Sequence, residues 1–230
     1  NWHIDAINEH LQAVIEGDNI KRLIINIPPR HMKSLSTAVI LPAWAWTRDP
    51  SMKFMYASYA ASLSIRDSVK CRRLIDSPWY KAHFPDIKLT DDQNQKSRFE
   101  NTSSGYRLAT SVGGAATGDG GDIVLIDDPA SSSDAQSSAM RTSVMEWWDQ
   151  TMQTRLNDPK TGAFIIIAQR LHEQDLCGHI LSQELGNDWD HLCLPARYEL
   201  GHPTPVRSSL GFTDPRTQEG ELLWPDRMDE

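Results

Sequence analysis

Apolar residues recur along the chain with two different periods. Ile4, Ile7, Leu11 and the pair Val14-Ile15 fall at helical spacing and stop near Gly17, which predicts an amphipathic helix. Leu23-Ile24-Ile25-Asn26-Ile27 then forms a short β-rich run that meets Pro28-Pro29 and predicts a buried strand. From Ser34 a helix-prone segment reaches about Trp46, followed by a strand over Phe54 to Ser58 and a helix from about Ala60 to Ile75. Short strands are predicted around Ser97 to Glu100 and Tyr106 to Thr110, ahead of a glycine-dense loop over 113–121 and the apolar strand Ile123 to Ile126. A long helix is expected to start at Ser133, with Gln136 at capping-box spacing, and to run through Met145, Trp148 and Met152 to Leu156. The strand Phe164 to Ala168 and a helix around Gln174 to Leu185 close the pattern. Strands that are apolar throughout are covered on both faces. Their alternation with helices predicts an α/β domain with a mostly parallel central sheet flanked by helices.

Composition narrows the function classes. The chain has 230 residues, 39% of them hydrophobic, which suits one large domain, taken here as 1–195 with a small lid formed by parts of it. Beyond Pro195, prolines and sparse apolar runs predict an extended exit over 196–230. The longest apolar stretch, Ala38 to Trp46, is broken by Pro42 and is too short for a membrane span. Cys71, Cys177 and Cys193 suggest reduced thiols rather than a disulfide framework, and His172, Cys177 and His179 suggest structural residues rather than a zinc site. A net charge of −8 is the wrong sign for a surface that grips nucleic acid everywhere, so any DNA contact is expected to be local. The first residue is Asn1 and the chain stops after a loop-like stretch, which suggests a piece of a longer protein.

The turn Pro28-Pro29-Arg30-His31-Met32-Lys33-Ser34 joins a buried strand to a helix. Such a turn can aim backbone amides at phosphate, with Lys33 reaching the terminal phosphates and the Ser34 hydroxyl holding Mg²⁺. Ile27 and Met32 stand where the usual pattern has glycine, so the turn taken alone is equally consistent with an ordinary connection and a solvated lysine. Much later, the apolar strand ends in Asp127-Asp128-Pro129. Asp127 is placed to hold Mg²⁺ and Asp128 to orient or deprotonate an attacking water, the two acidic roles of nucleotide hydrolysis. Together the two constellations favour a P-loop nucleotide hydrolase over two solvated strand ends. Gln169-Arg170 follows a further apolar strand, where a γ-phosphate sensor would be delivered, although a polar strand-end pair bonded to nearby backbone is an equal reading of these residues alone.

With these residues the sequence resembles the ATPase domain of tailed-phage terminase large subunits, the motors that package viral DNA. The likeness rests on Arg22 to His31 with Lys33-Ser34, on Gly114 and Thr117-Gly118 before Asp122 to Pro129, on Gln169-Arg170-Leu171-His172-Glu173 with Asp175-Leu176 and Gly178, and on Gly220 to Pro225. It implies an additional-strand, RecA-like P-loop core using ATP and Mg²⁺. It further implies double-stranded DNA as translocated substrate, the portal of an empty capsid and the small terminase subunit as partners, and a homo-oligomeric ring during packaging, with a monomer in isolation also open. The expected location is the host-cell cytoplasm, transiently at the portal. Carried over by residue, Lys33 and Ser34 match the phosphate and metal ligands, Arg30 the loop arginine, Asp127 the metal acid and Asp128 the catalytic acid, while Pro28, Pro29, His31 and Met32 complete the loop. Trp2 resembles the adenine-side segment, although a buried aromatic is an equal reading. Gln169 and Arg170 match the coupling segment.

The chain departs from the family at three points. Relatives commonly have Gly at Met32 and often Glu at Asp128, whose shorter side chain must reach water by a shifted backbone; where relatives often place an arginine, this chain has Asp119. Arg30, Arg141 and Arg170 are the remaining arginine-finger candidates. The family's C-terminal nuclease domain is expected to be missing here, and with it DNA cleavage. Two rival readings are a helicase-like or metabolic P-loop ATPase and a nucleotide-binding module without catalysis.

Overall fold

The computed structural model describes residues 1–17, 20–114, 118–202 and 206–227, apart from the side chains of 184 and 185. Thr117, one of the residues carrying the family likeness, lies outside them.

Helix α1 (Trp2–Glu16) buries one stripe, including Ile7, Leu11 and Val14. It ends at Gly17, whose φ of 79° lets its N–H turn back to the Ala13 carbonyl. Strand β1 (Arg22–Asn26) leads into the turn over 27–32 and then into a helical run. The first turns of that run, Leu35–Ile40, are wound as a π-helix and continue as α2 (Leu41–Ala45). Pro42 has no N–H to give to the carbonyl four residues back, Ala38, or five back, Thr37. Those carbonyls accept instead from the Arg107 guanidinium at 3.0 Å and the Tyr56 hydroxyl at 2.8 Å. The chain continues through β2 (Phe54–Ser58), α3 (Ala61–Ile75), α4 (Pro78–His83), β3 (Leu89–Asn94), β4 (Arg98–Asn101), β5 (Tyr106–Ser111) and β6 (Ile123–Asp127). It then forms α5 (Ser138–Gln150), β7 (Ala163–Ala168), α6 (Leu176–Ser182) and β8 (Asp190–Cys193).

The strands make one sheet in the order β3-β4-β5-β2-β6-β7-β1-β8. From β5 to β8 all neighbours are parallel, and β4 runs against both β5 and β3. Each face carries its own core. Leu23, Ile25, Phe54, Tyr56 and Leu125 pack with α1, α2 and α3 on one side. Ile24, Met55, Val124, Ile126 and Ile166 pack with Trp148 of α5 and Ile180 of α6 on the other. Coverage of both faces is why these strands are apolar at every position rather than at alternate ones.

The expected α/β architecture and mostly parallel sheet are present, but several elements differ from the pattern. The helix expected from Ser133 to Leu156 is divided: a short 3₁₀ turn (Asp134–Gln136) precedes α5, and a second (Met152–Thr154) follows it. The cap is Ser137, not Ser133; its backbone is extended and its hydroxyl accepts from the Met140 N–H. The later helix is shorter than expected: Asp175 caps its start by accepting from the Gly178 N–H, and at Gln183 the backbone turns extended before a 3₁₀ turn (Glu184–Asp188). Helix α4 and strands β3 and β8 carry too little periodic apolar signal to be expected from the sequence. After Pro195 the described residues contain no helix or strand, yet they are anchored to the body. Leu223 is buried, His191 and Arg207 exchange backbone hydrogen bonds, and the buried Arg216 side chain joins Asp214 to the carbonyls of Pro195 and Glu221.

Candidate nucleotide-binding site

The sheet order places the predicted chemistry at one edge. Strand β7 lies between β1, which feeds the turn at 27–32, and β6, which ends in the two acids. Parallel register brings Asn26 beside Ala168, and Asp127 beside Ile167, so all three strands finish together. This interposed strand is the arrangement the additional-strand expectation requires.

The turn contains no glycine, and two ordinary residues supply the bends. Arg30 and Met32 each have φ of 66°, in the left-handed region where a side chain is unfavourable. The bend at Met32 sets the start of the helix, where the Ser36 N–H reaches the Met32 carbonyl at 3.0 Å and the Thr37 hydroxyl reaches the Lys33 carbonyl at 2.9 Å. The His31 ring bonds the Pro29 carbonyl at 2.9 Å and packs edge-on to His3 of α1. Lys33 is thereby turned inward and nearly buried.

Its ammonium makes ion contact with one carboxylate oxygen of Asp128 and lies 3.9 Å from Asp127. Asp128 itself has φ of 45°, outside strand geometry. The Asp128 N–H bonds the Ile167 carbonyl at 2.9 Å, its carbonyl receives the Tyr59 N–H at 3.0 Å, and its carboxylate receives the Gln169 N–H at 3.2 Å. The end of β6 is thus laced to β7 and to the segment after β2. Burial pushes the Asp127 carboxyl up to about 6; Lys33 opposes that rise, Asp128 adds to it, and the Ser34 hydroxyl opposes it. One Asp127 oxygen is buried with no hydrogen-bond partner. A buried carboxylate oxygen without a donor, beside a serine hydroxyl, suits a hard, oxygen-seeking cation such as Mg²⁺.

Asp127, Asp128, Ser34 and Gln169 line one cavity of about 240 Å³, between the helix after β1, β2 and α3. Arg30 is exposed on the turn. Pro28 and Pro29 line a separate, more open cavity of about 520 Å³ with Gln169 and Arg170. Arg170 is tied to Asp175 at 2.9 Å and to the carbonyls of His172 and Glu173, so its guanidinium braces the start of α6. Arg141 bonds the Ala135 carbonyl and borders a small pocket shared with Asp128 and Gln169. Trp2 stacks on Phe212 with Arg216 over its ring, and its neighbour His3 is the residue that meets the turn. Asp119 pairs with Arg98 of β4 at 2.7 Å.

Arg66, Asp67 and Arg107 were not expected at the site, yet they line the cavity that holds the acids. Asp67 is buried and is paired with Arg66 at 2.8 Å and Lys70 at 3.1 Å. Helical position alone marks Arg66-Asp67 as a solvated pair. Their role in the cavity follows only from β2 standing next to β6.

Compared with solved structures, the chain is similar to a point mutant of the large terminase ATPase domain of Thermus phage P74-26. The TM-score is 0.56 at 12% identity, covering 81% of this chain and 80% of that one. The fold is that of phage large-terminase ATPase domains. The terminase ATPase domain of the same phage without that substitution gives 0.54 at 11% identity, over 76% of this chain and 75% of that one. The bacteriophage HK97 large terminase gives 0.57 at 13%, over 82% of this chain but 38% of its own length. At these identities the likeness to terminases is one of fold. No protein-family model and no curated protein matches the sequence.

Proposed function

We propose that the chain is the ATP-hydrolysing motor domain of a phage DNA-packaging terminase. The observation that carries this reading is the contact of Lys33, after β1, with Asp128, after β6, across an interposed β7 in a fold shared with terminase ATPase domains. Ser34 and Asp127 would hold Mg²⁺, which when bound neutralises charge that develops on the phosphates. Lys33, released from Asp128, would take a terminal phosphate. Asp128, freed by the same movement and held by the Gln169 N–H, would orient water and accept its proton. Gln169, joined by its backbone to Asp128, is positioned to pass a change at the acids to the start of α6. Double-stranded DNA as substrate, the capsid portal and the small terminase subunit as partners, a ring as the working assembly and the host cytoplasm as its location belong to this same reading.

Steady-state ATP hydrolysis with Mg²⁺, compared among the wild type, Lys33→Ala and Asp128→Asn, tests it. Turnover abolished in both variants is the expected result. A rate per molecule that rises with protein concentration would identify an arginine supplied by a neighbour. A nucleotide-binding module without turnover is favoured by one observation, that Lys33 occupies Asp128. ATP binding with no hydrolysis, even with DNA and capsids present, would establish that reading instead. Stimulation by DNA but not by capsids would indicate a helicase-like enzyme.

A further inference from the structure

Helix α3 is a basic element in an acidic chain. Residues 61–98, from its start to the first residue of β4, carry eight Lys and Arg against five Asp, whereas the whole chain has a net charge of −8. Within α3 four cations, Arg66, Lys70, Arg72 and Arg73, stand against one acid, Asp67. That acid is buried, so every charged side chain that α3 presents to solvent is positive.

Arg66, Lys70 and Arg73 are spaced by four and then three residues, which puts them on one face of the helix, and all three are exposed. Asp67 holds two of them from beneath. Arg66 grips its carboxylate through Nε at 3.0 Å and Nη2 at 2.8 Å, and the Lys70 ammonium reaches it at 3.1 Å. Both still keep half of the side chain in solvent. Arg72 donates to the carbonyl and side-chain oxygens of Asn94, a neutral partner. The Arg73 side chain has no ion pair or hydrogen bond among the described residues. Seven residues of helix advance about 10 Å, which is about three phosphate steps along one DNA strand. No large apolar side chain of α3 is exposed, as a helix lying on a membrane surface would require.

We propose that the face of α3 formed by Arg66, Lys70 and Arg73 is a docking surface for the phosphate backbone of double-stranded DNA. Two of the three side chains are already positioned by Asp67, so little freedom is lost when a strand is laid across them. Contacts of this kind read charge and not base sequence. Arg66 also borders the cavity that holds Asp127 and Asp128, whereas Lys70 and Arg73 do not, so the face begins beside the nucleotide site and runs away from it along α3. The choice of duplex DNA as the polyanion rests on the function proposed above; the charge pattern does not.

The test is the fluorescence anisotropy of a labelled duplex of about 30 base pairs, titrated with the whole chain without nucleotide at salt concentrations from about 50 to 200 mM. Three neutralised phosphates give a slope of log affinity on log salt of about −2.7, a loss of about 40-fold over that range. Arg73→Ala should make the slope shallower by about 1. Arg73→Glu should weaken binding at the lower salt by about tenfold or more, while Lys160→Glu, the same change in net charge in the exposed turn before β7, should leave it within about twofold. Because the Arg73 side chain holds nothing in the fold, ATP turnover without DNA should be the same in Arg73→Glu as in the wild type. A slope near zero, equal weakening by the Arg73 and Lys160 reversals, or displacement of the duplex by polyglutamate at equal charge concentration overturns the proposal. ATP turnover without any DNA binding likewise overturns the surface and leaves the hydrolase reading in place. DNA binding that depends on Arg73, in a chain that does not turn over ATP, supports the surface and removes the motor.

Discussion

Lys33 reaches from the turn after β1, past β7, to the carboxylate of Asp128 at the end of β6, and its ammonium is the only cation in ion-pair contact with either acid among the described residues. Removing it leaves two adjacent carboxylates, one of them buried, without a counter-charge. Removing Asp128 leaves the ammonium with Asp127 as a partner. Breaking a buried pair from one side typically costs about 3–5 kcal/mol. Lys33→Ala is accordingly expected to destabilise the nucleotide-free protein by roughly 3 kcal/mol and Asp128→Asn by roughly 1 kcal/mol, since Asp128 is less buried. Urea denaturation at neutral pH measures both. Equal losses would show that the ammonium does not serve both acids.

Asp127 makes stability depend on pH in a defined direction. Its carboxyl is raised from 3.8 to about 6 in the folded protein. Between those values the folded state holds a proton that the unfolded chain has lost, so stability falls as pH rises through about 4 to 6. Two units of such a shift correspond to roughly 3 kcal/mol at most. The wild type should gain stability on acidification from pH 7 to pH 5 relative to Asp127→Asn, and at pH 7 the Asn variant should be the more stable of the two without nucleotide. Thermal unfolding of both proteins across this range checks it. Parallel pH curves would contradict the raised carboxyl.

Where the sequence was readable, one physical rule decided each element. Strands β1, β2, β6 and β7 lie in the middle of a sheet covered on both faces, so burial writes them as unbroken apolar runs, and their ends place Lys33, Asp127, Asp128 and Gln169. Strand β8 carries no such run, because Asp190 and His191 are buried with partners distant in sequence. Asp190 accepts from Ser209, and His191 pairs with Asn26 at 2.7 Å. Strand β3 is an exposed edge of polar residues. Arg107 was invisible for another reason: an arginine in a short strand suggests a solvent-facing position, and only the missing N–H of Pro42, many residues earlier, explains the carbonyl that receives it.

Met32 tests whether the turn tolerates its missing glycine at a cost. A left-handed backbone is unfavourable by about 1–2 kcal/mol for a residue with a Cβ. Met32→Ala keeps that strain while removing the side chain; Met32→Gly removes both. Glycine in place of alanine should therefore stabilise the folded protein by about 1 kcal/mol, after its greater unfolded entropy is set against the relief. Nucleotide affinity, measured by titration, should rise in the glycine variant as the backbone amide gains access to phosphate. If the alanine and glycine variants are equally stable, the strain at Met32 is no larger than the entropy that glycine adds to the unfolded chain.

Gly178 explains part of the segment after β7 in purely steric terms. Its N–H caps α6 through Asp175, and a Cβ placed there would lie 1.8 Å from the Glu173 carbonyl oxygen, with the Arg170 guanidinium also close at 3.0 Å. The loop over 170–175 is closed by Arg170 bonding Asp175 and those same carbonyls, so the backbone has no free direction in which to yield. Gly178→Ala is therefore expected to cost about 2–3 kcal/mol, at the upper end for overpacking, because the clash is with backbone and not with the end of a flexible side chain. Ser182→Ala, at the far end of the same helix, removes one exposed hydroxyl bond to the His179 carbonyl and should change stability by less than about 0.5 kcal/mol. If Gly178 positions Arg170 and Gln169 as well as allowing the fold, the alanine variant should also lose ATP turnover more than ATP binding. Unfolding curves and paired measurements of turnover and affinity separate the two effects, and a variant with full stability would show that the approach of Glu173 to Gly178 is not fixed.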